Sequence, residues 1–173
     1  MSALYRVRQF VRATGAWAQP GQLDETLVSR YLPPAGERLF QAMPAYDRRH
    51  GLLVLHTLRQ QGHTGPDLLA AALLHDVGKT AVEAGRLRLW HRVAVVLMRA
   101  ATPALLGRLG SERSAGWRRA FYVQQHHAAL GAELAQQAGC SARTVALIRD
   151  HEDPPAETDD PLLAALRAVD NSS

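Results

Sequence analysis

An all-α, single-domain helical bundle is the fold this sequence predicts, and three observations predict it. First, its 173 residues are 47% apolar but only 6% aromatic, and Ala and Leu supply most of the apolar share, which favours helices over sheet. Second, apolar positions recur at three- and four-residue intervals. Third, Pro and Gly cut the chain into helix-length pieces with no run that reads as a strand. Val93 to Met98 comes nearest to a strand, and its flanks have helical spacing.

A first amphipathic helix is expected from Ser2 to about Thr14, where Gly15 stops it, followed by a loop over Ala16 to Gly21. Asp24 starts a short helix ending before Pro33-Pro34, and a second short piece runs from Ala35 to Met43. Pro44 suits the first turn of the next helix, which runs to about Gln61 before Gly62. Gly65-Pro66-Asp67 opens a strongly apolar helix from Leu68 to His75, closed by Gly78 as the backbone turns away. An apolar stretch covers Leu87 to Leu109, and helices follow at about Ser114 to Gln137, Ser141 to His151 and Pro161 to Val169, with Pro154-Pro155 between the last two. Without repeats or a long linker, one structural domain is expected, residues 1–44 forming N-terminal helices packed on a core of 45–173.

The net charge of +4 permits an anionic ligand such as a nucleotide, but no Lys/Arg run marks a nucleic-acid groove, and stable nucleic-acid binding is not expected. Arg6, Arg8 and Arg12 interrupt the N-terminal apolar residues, unlike a signal peptide. Arg99 and Pro103 break the stretch 93–106, which is too short to span a bilayer. Cys140 is the single cysteine and has no partner for a disulfide. A soluble, cytoplasmic protein without a membrane partner is the expectation, and a homodimer is compatible with it.

Five features carry chemistry: His50, the pair His75-Asp76, the pair His126-His127, His151 and Asp170. Imidazole with carboxylate suits divalent ions, and separate helices can each deliver one ligand to a shared centre. His50 shares a face with Tyr46 or Asp47 below it and Leu53-Val54 above it. His75 and Asp76 follow Leu69, Ala72 and Leu73 at the end of their helix. His127 lies with Leu130, Gly131 and Leu134, where Gly131 permits close helix approach; His151 continues Thr144, Leu147 and Ile148; Asp170 sits one turn beyond Leu166. A carboxylate closing an apolar face needs a partner, because a buried unpaired charge is costly. Any one of these histidines alone would be an ordinary core residue, and His56 and His63 are assigned to that class. Lys79 is the only lysine in a chain rich in Arg; a plain bias towards Arg explains this, unless the site requires a compact ammonium.

The ordered set is more specific than its parts. Leu69-Ala70-Ala71-Ala72-Leu73-Leu74-His75-Asp76-Val77-Gly78-Lys79 closely resembles the signature of the HD superfamily of metal-dependent phosphohydrolases. Asp47-Arg48-Arg49-His50, followed by Val54, resembles the segment of that family's first metal histidine. His127 to Leu134, Ile148 to Glu152 and Leu166 to Asp170 resemble its later segments in the family's order, so the match spans roughly Ala45 to Asn171. The resemblance implies one divalent ion among His50, His75, Asp76 and Asp170, and a second if His127 and His151 also bind. With two ions, it implies a bridging hydroxide as nucleophile and Asp76 as bridging ligand. Lys79 resembles the lysine the family places near the substrate phosphate. Mn, Fe, Co, Mg, Zn and Ni are all compatible with the ligand types.

Three departures qualify the resemblance. Asp150 stands where the binuclear subgroup has the first of two consecutive histidines, and Tyr46 where some members carry a further carboxylate. Asp153-Pro154-Pro155 replaces a Gly-Tyr-Pro turn, which argues against cyclic-di-GMP hydrolysis by the HD-GYP route. Lys79 and His126 are candidate substrate-binding residues. His91-Arg92 are candidates for a phosphate contact, against the plainer reading of a solvated helix face. The expected activity is hydrolysis of a phosphomonoester or phosphodiester, with Asp76 and Lys79 catalytic and a nucleotide as the substrate class. The alternatives are a catalytically silent scaffold that binds a nucleotide or partner protein and, last, a di-iron oxygenase on the same frame.

Overall fold

The computed structural model describes residues 26–81, 117–153 and 160–172. Among these, seven α-helices and one 3-10 turn occur and no strand, so the fold is all-α. The helices are α1 (Thr26–Tyr31), α2 (Pro34–Ala42), α3 (Ala45–Gln60), α4 (Pro66–Leu74), α5 (Trp117–Gln137), α6 (Ala142–Asp150) and α7 (Pro161–Asp170), with the 3-10 turn at Val77–Ala81. No described helix is long and apolar enough to cross a membrane. The expected helix at 2–14, the loop at 16–21, the start at Asp24, the stretch 87–109 and the break at Pro154-Pro155 lie outside the described residues, as do His91 and Arg92.

The chain divides into two units, Met1–Gln22 with Val82–Gln125 and Leu23–Ala81 with His126–Ser173. The second unit carries every described candidate residue. Of the first, only 117–125 are described.

Helix boundaries follow local chemistry. Pro33 is extended and leads into Pro34 at the first position of α2, where a missing N–H costs nothing. Met43 is extended before Pro44, which stands just ahead of α3. Ser141 caps α6 by accepting from the Thr144 N–H at 3.0 Å, and the same hydroxyl donates to Asp67 Oδ1 at 2.5 Å near the start of α4. Asp160 caps α7 by accepting from the Leu162 N–H at 2.9 Å.

Helix α4 forms the centre of this unit. Every residue from Leu68 to Leu74 is buried, as expected of a helix apolar on all sides. It packs against α3 and α6 most extensively, and also against α1, α2 and α7. A Cβ on Gly51 would come within 2.9 Å of the Leu73 carbonyl oxygen, so the crossing of α3 over α4 depends on that glycine. On α3 the inward face is Asp47, His50 and Val54, while Tyr46 and Leu53 are exposed. The end of α4 is thereby held by neighbours on several sides, and the candidate site begins there.

Candidate metal centre

His75 is the C-cap of α4 and His151 the C-cap of α6. Each ring is anchored to its own helix: His75 Nδ1 donates to the Ala72 carbonyl at 3.0 Å, and His151 Nδ1 donates to the Ile148 carbonyl at 2.7 Å. A carbonyl only accepts, so Nδ1 carries the proton in both rings and the lone pair of the neutral form lies on Nε2. His50 comes from α3, His127 from α5, and Asp170 ends α7. All four imidazoles are buried.

The four rings neighbour one another in succession. Centroids are 5.1 Å apart for His50 and His75, 5.2 Å for His75 and His151, and 5.4 Å for His127 and His151. Asp76 lies alongside with its two oxygens facing different neighbours. Oδ2 is 3.8 Å from His75 Nε2 and 2.5 Å from Lys79 Nζ, whereas Oδ1 is 3.5 Å from His127 Nε2. Asp170 Oδ1 accepts from His50 Nε2 at 2.7 Å and lies 3.3 Å from His75 Nε2.

Two groups of side chains can each hold a metal ion: His50, His75 and Asp76, and Asp76, His127 and His151. Within each group the donor atoms lie within 4.8 Å of one another, and Asp76 belongs to both. No protein-family model, curated protein or solved structure matches the chain. The donor set suits a cation on its own chemistry. Buried His75 Nε2 faces two carboxylates without a well-directed hydrogen bond, an arrangement that costs free energy unless a proton or a metal ion occupies the lone pair.

Electrostatics separate the two groups. Burial opposes a charge on His75, but Asp76 and Asp170 outweigh it and raise its pKa to about 9. Burial also opposes charge on the two carboxylates. Lys79 and His75 nevertheless hold Asp76 well below the usual range, and His75 with the hydrogen bond from His50 does the same for Asp170. His127 moves the other way, to about 4, because burial and then Lys79 outweigh the pull of Asp76 and Glu152. His151 is lowered by burial and by His75.

The structure thus gathers His50, His75, Asp76, Lys79, His127, His151 and Asp170 in one place. Asp170 belongs to neither group of converging donors but bridges the two histidines of the first. His126, next to His127 on α5, is exposed. Gly78 departs from its expected role. Its φ is not positive, and the chain continues past it as the 3-10 turn. A Cβ there would overlap the His127 carbonyl oxygen and crowd the Gly131 backbone nitrogen, so glycine is required for contact with α5 rather than for a turn. Gly131 permits that approach, as its spacing from His127 predicts.

Two residues inside the quoted segments were given no role by the sequence. Glu152 Oε1 lies 3.7 Å from His127 Nε2, and its position directly after His151 was the available signal. Arg167 is buried on α7 and donates to the backbone carbonyls of Asp150 and His151. Its place one turn before Asp170 marks it in the sequence, but nothing there shows that it turns inward.

Proposed function

We propose that this chain is a metal-dependent phosphohydrolase of the HD type, acting on a phosphomonoester or phosphodiester of a small molecule, with nucleotides as the substrate class. The observation that carries this reading is Asp76: one buried carboxylate shared by two groups of metal-ligating side chains, with an ammonium on one of its oxygens. His50, His75 and Asp76 would hold one ion, with Asp170 beside them, and His127, His151 and Asp76 a second. Such ions, when bound, lower the pKa of water and neutralise charge on a phosphoryl group. The chain supplies the rest. The Nδ1 anchors of His75 and His151 fix which nitrogen each ring presents. Lys79 brings a positive charge to the edge of the centre, where it can meet a phosphoryl oxygen.

The deciding experiment is turnover of a panel of phosphate esters with Mn, Fe, Co, Mg, Zn or Ni added, comparing the wild type with Asp76→Asn. Loss of hydrolysis in a variant with an unchanged helical spectrum is the expected result. Equal turnover in both proteins rejects the assignment.

One observation favours a second reading. Lys79 already compensates the Asp76 charge, as it would in a catalytically silent scaffold that binds a nucleotide or a partner protein. Binding of a nucleotide with no turnover of any ester in the panel would select that reading.

A further inference from the structure

The carbonyls at the end of α6 belong to the residue that supplies a candidate ligand, His151, and to the one before it. Carbonyls at a helix C-terminus have no intrahelical partner, so their position depends on what else binds them. Arg167, buried at 7% exposure, reaches both from α7. Its Nη2 donates to the Asp150 carbonyl at 2.6 Å and its Nε to the His151 carbonyl at 3.3 Å. Three residues further along the same helix stands Asp170, which accepts from His50.

We propose that Arg167 is a positioning residue that fixes the end of α6, and with it His151, for the second metal site formed by Asp76, His127 and His151. This rests on the metal-centre reading given above. The His151 ring is tied to its own helix through the Ile148 carbonyl, so ring and helix end move together. Any freedom at residues 150–151 is therefore transmitted to Nε2. A guanidinium presents parallel N–H donors in a rigid fork and can hold two successive carbonyls at once, whereas a lysine ammonium is a point donor on a flexible stem. An apolar residue of similar length could fill the same space but could not hold the carbonyls in place. The first site takes its ligands from α3 and the end of α4, whereas the carbonyls that Arg167 holds belong to the end of α6.

The test uses the full chain, stripped with chelator and titrated with Co(II), whose visible absorption reports each bound ion; elemental analysis gives the stoichiometry. Wild type is expected to take two ions. Arg167→Met, with helical content and a cooperative melt retained, should bind the first with wild-type affinity and the second at least tenfold more weakly. Arg167→Lys should fall between the two. In a His151→Ala background, Arg167→Met should change metal binding no further. Equal weakening of both ions would show general structural damage and overturn the proposal, as would wild-type binding of both ions in Arg167→Met. Should Arg167→Met not fold, Arg167→Lys decides, and two-ion binding at wild-type affinity in that variant overturns the proposal. A wild-type chain that takes only one ion overturns it while leaving the first site standing. A wild-type chain that takes none overturns the metal-centre reading itself.

Discussion

His75 and His151 occupy equivalent positions on different helices. Each is the residue on which its helix ends, each donates Nδ1–H to the carbonyl three residues earlier, and their rings meet edge to face at 80° with centroids 5.2 Å apart. The two rings are set by one local device used twice, and Asp76, next to the first of them, reaches the other half of the centre through His127.

This arrangement makes the two halves differ in proton content, and that difference can be measured. With a pKa raised to about 9, His75 is protonated at pH 7, whereas His127, lowered to about 4, is neutral. An ion that takes His75 Nε2 must displace a proton, and one that takes His127 displaces none. Calorimetric titration with metal at pH 7, in buffers of different ionisation enthalpy, should give about one proton released for the His50–His75–Asp76 ion. Affinity at that site should rise with pH from 7 to 9, and the other site should be nearly flat across that range.

The same shifts predict how stability changes with pH once metal is removed by chelator. His75 is raised above its ordinary 6.5, so it contributes stability that is complete below 6.5 and lost as pH rises through about 9. His127 is lowered, so its neutral form is favoured in the folded chain, and stability falls as pH drops from 6.5 towards 4. Depression of Asp76 and Asp170 adds stability above the ordinary carboxylate range that is lost on further acidification. Thermal melts across pH should show a maximum near neutrality. A curve still rising between pH 8 and 10 would contradict the His75 assignment.

Lys79→Met tests the ammonium. Lys79 and Asp76 are both largely buried, and removing one partner of a buried pair leaves the other uncompensated, at a cost of about 3 kcal/mol. The chelator-treated variant should melt earlier by a corresponding amount. Metal affinity should rise, because a competing cation is gone from Asp76 Oδ2, while phosphate-ester turnover falls. A variant with wild-type stability and turnover would remove Lys79 from the site.

Gly78→Ala should be destabilising by roughly 1–3 kcal/mol, because its methyl group overlaps backbone atoms that have no rotamer to yield. Denaturant unfolding measures this directly. Ser141→Ala serves as a contrast: loss of the α6 cap should cost about 1 kcal/mol and leave metal stoichiometry unchanged.

The all-α class and most described helix boundaries could be read from Pro, Gly and apolar spacing alone, because those signals act within a few residues. Pro33-Pro34, Pro44 and Gly65-Pro66 each stand within a residue or so of an observed boundary. The candidate ligands were legible for a different reason: each histidine alone reads as an ordinary core residue, and it was their ordered resemblance to a family signature that singled out the set which the structure brings together. What spacing alone left open was the choice between neighbours on a face, Tyr46 or Asp47, and which of the two turns inward only the packing decides. The role of Gly78 was misjudged because the atoms that exclude a side chain there belong to α5, some fifty residues away. Arg167 was missed for a similar reason. Its acceptors are backbone carbonyls, which every residue possesses and no sequence pattern marks.

His75-Asp76, His151 and Asp170 all stand where a helix finishes. Aligned peptide dipoles leave each such end with roughly half a unit of negative charge. The centre therefore receives a standing negative field from the backbone, which no change of side chain abolishes and which draws cations even before any ligand atom engages. At α6 the Arg167 guanidinium meets that end directly, so beside His151 a fixed positive charge offsets part of the field.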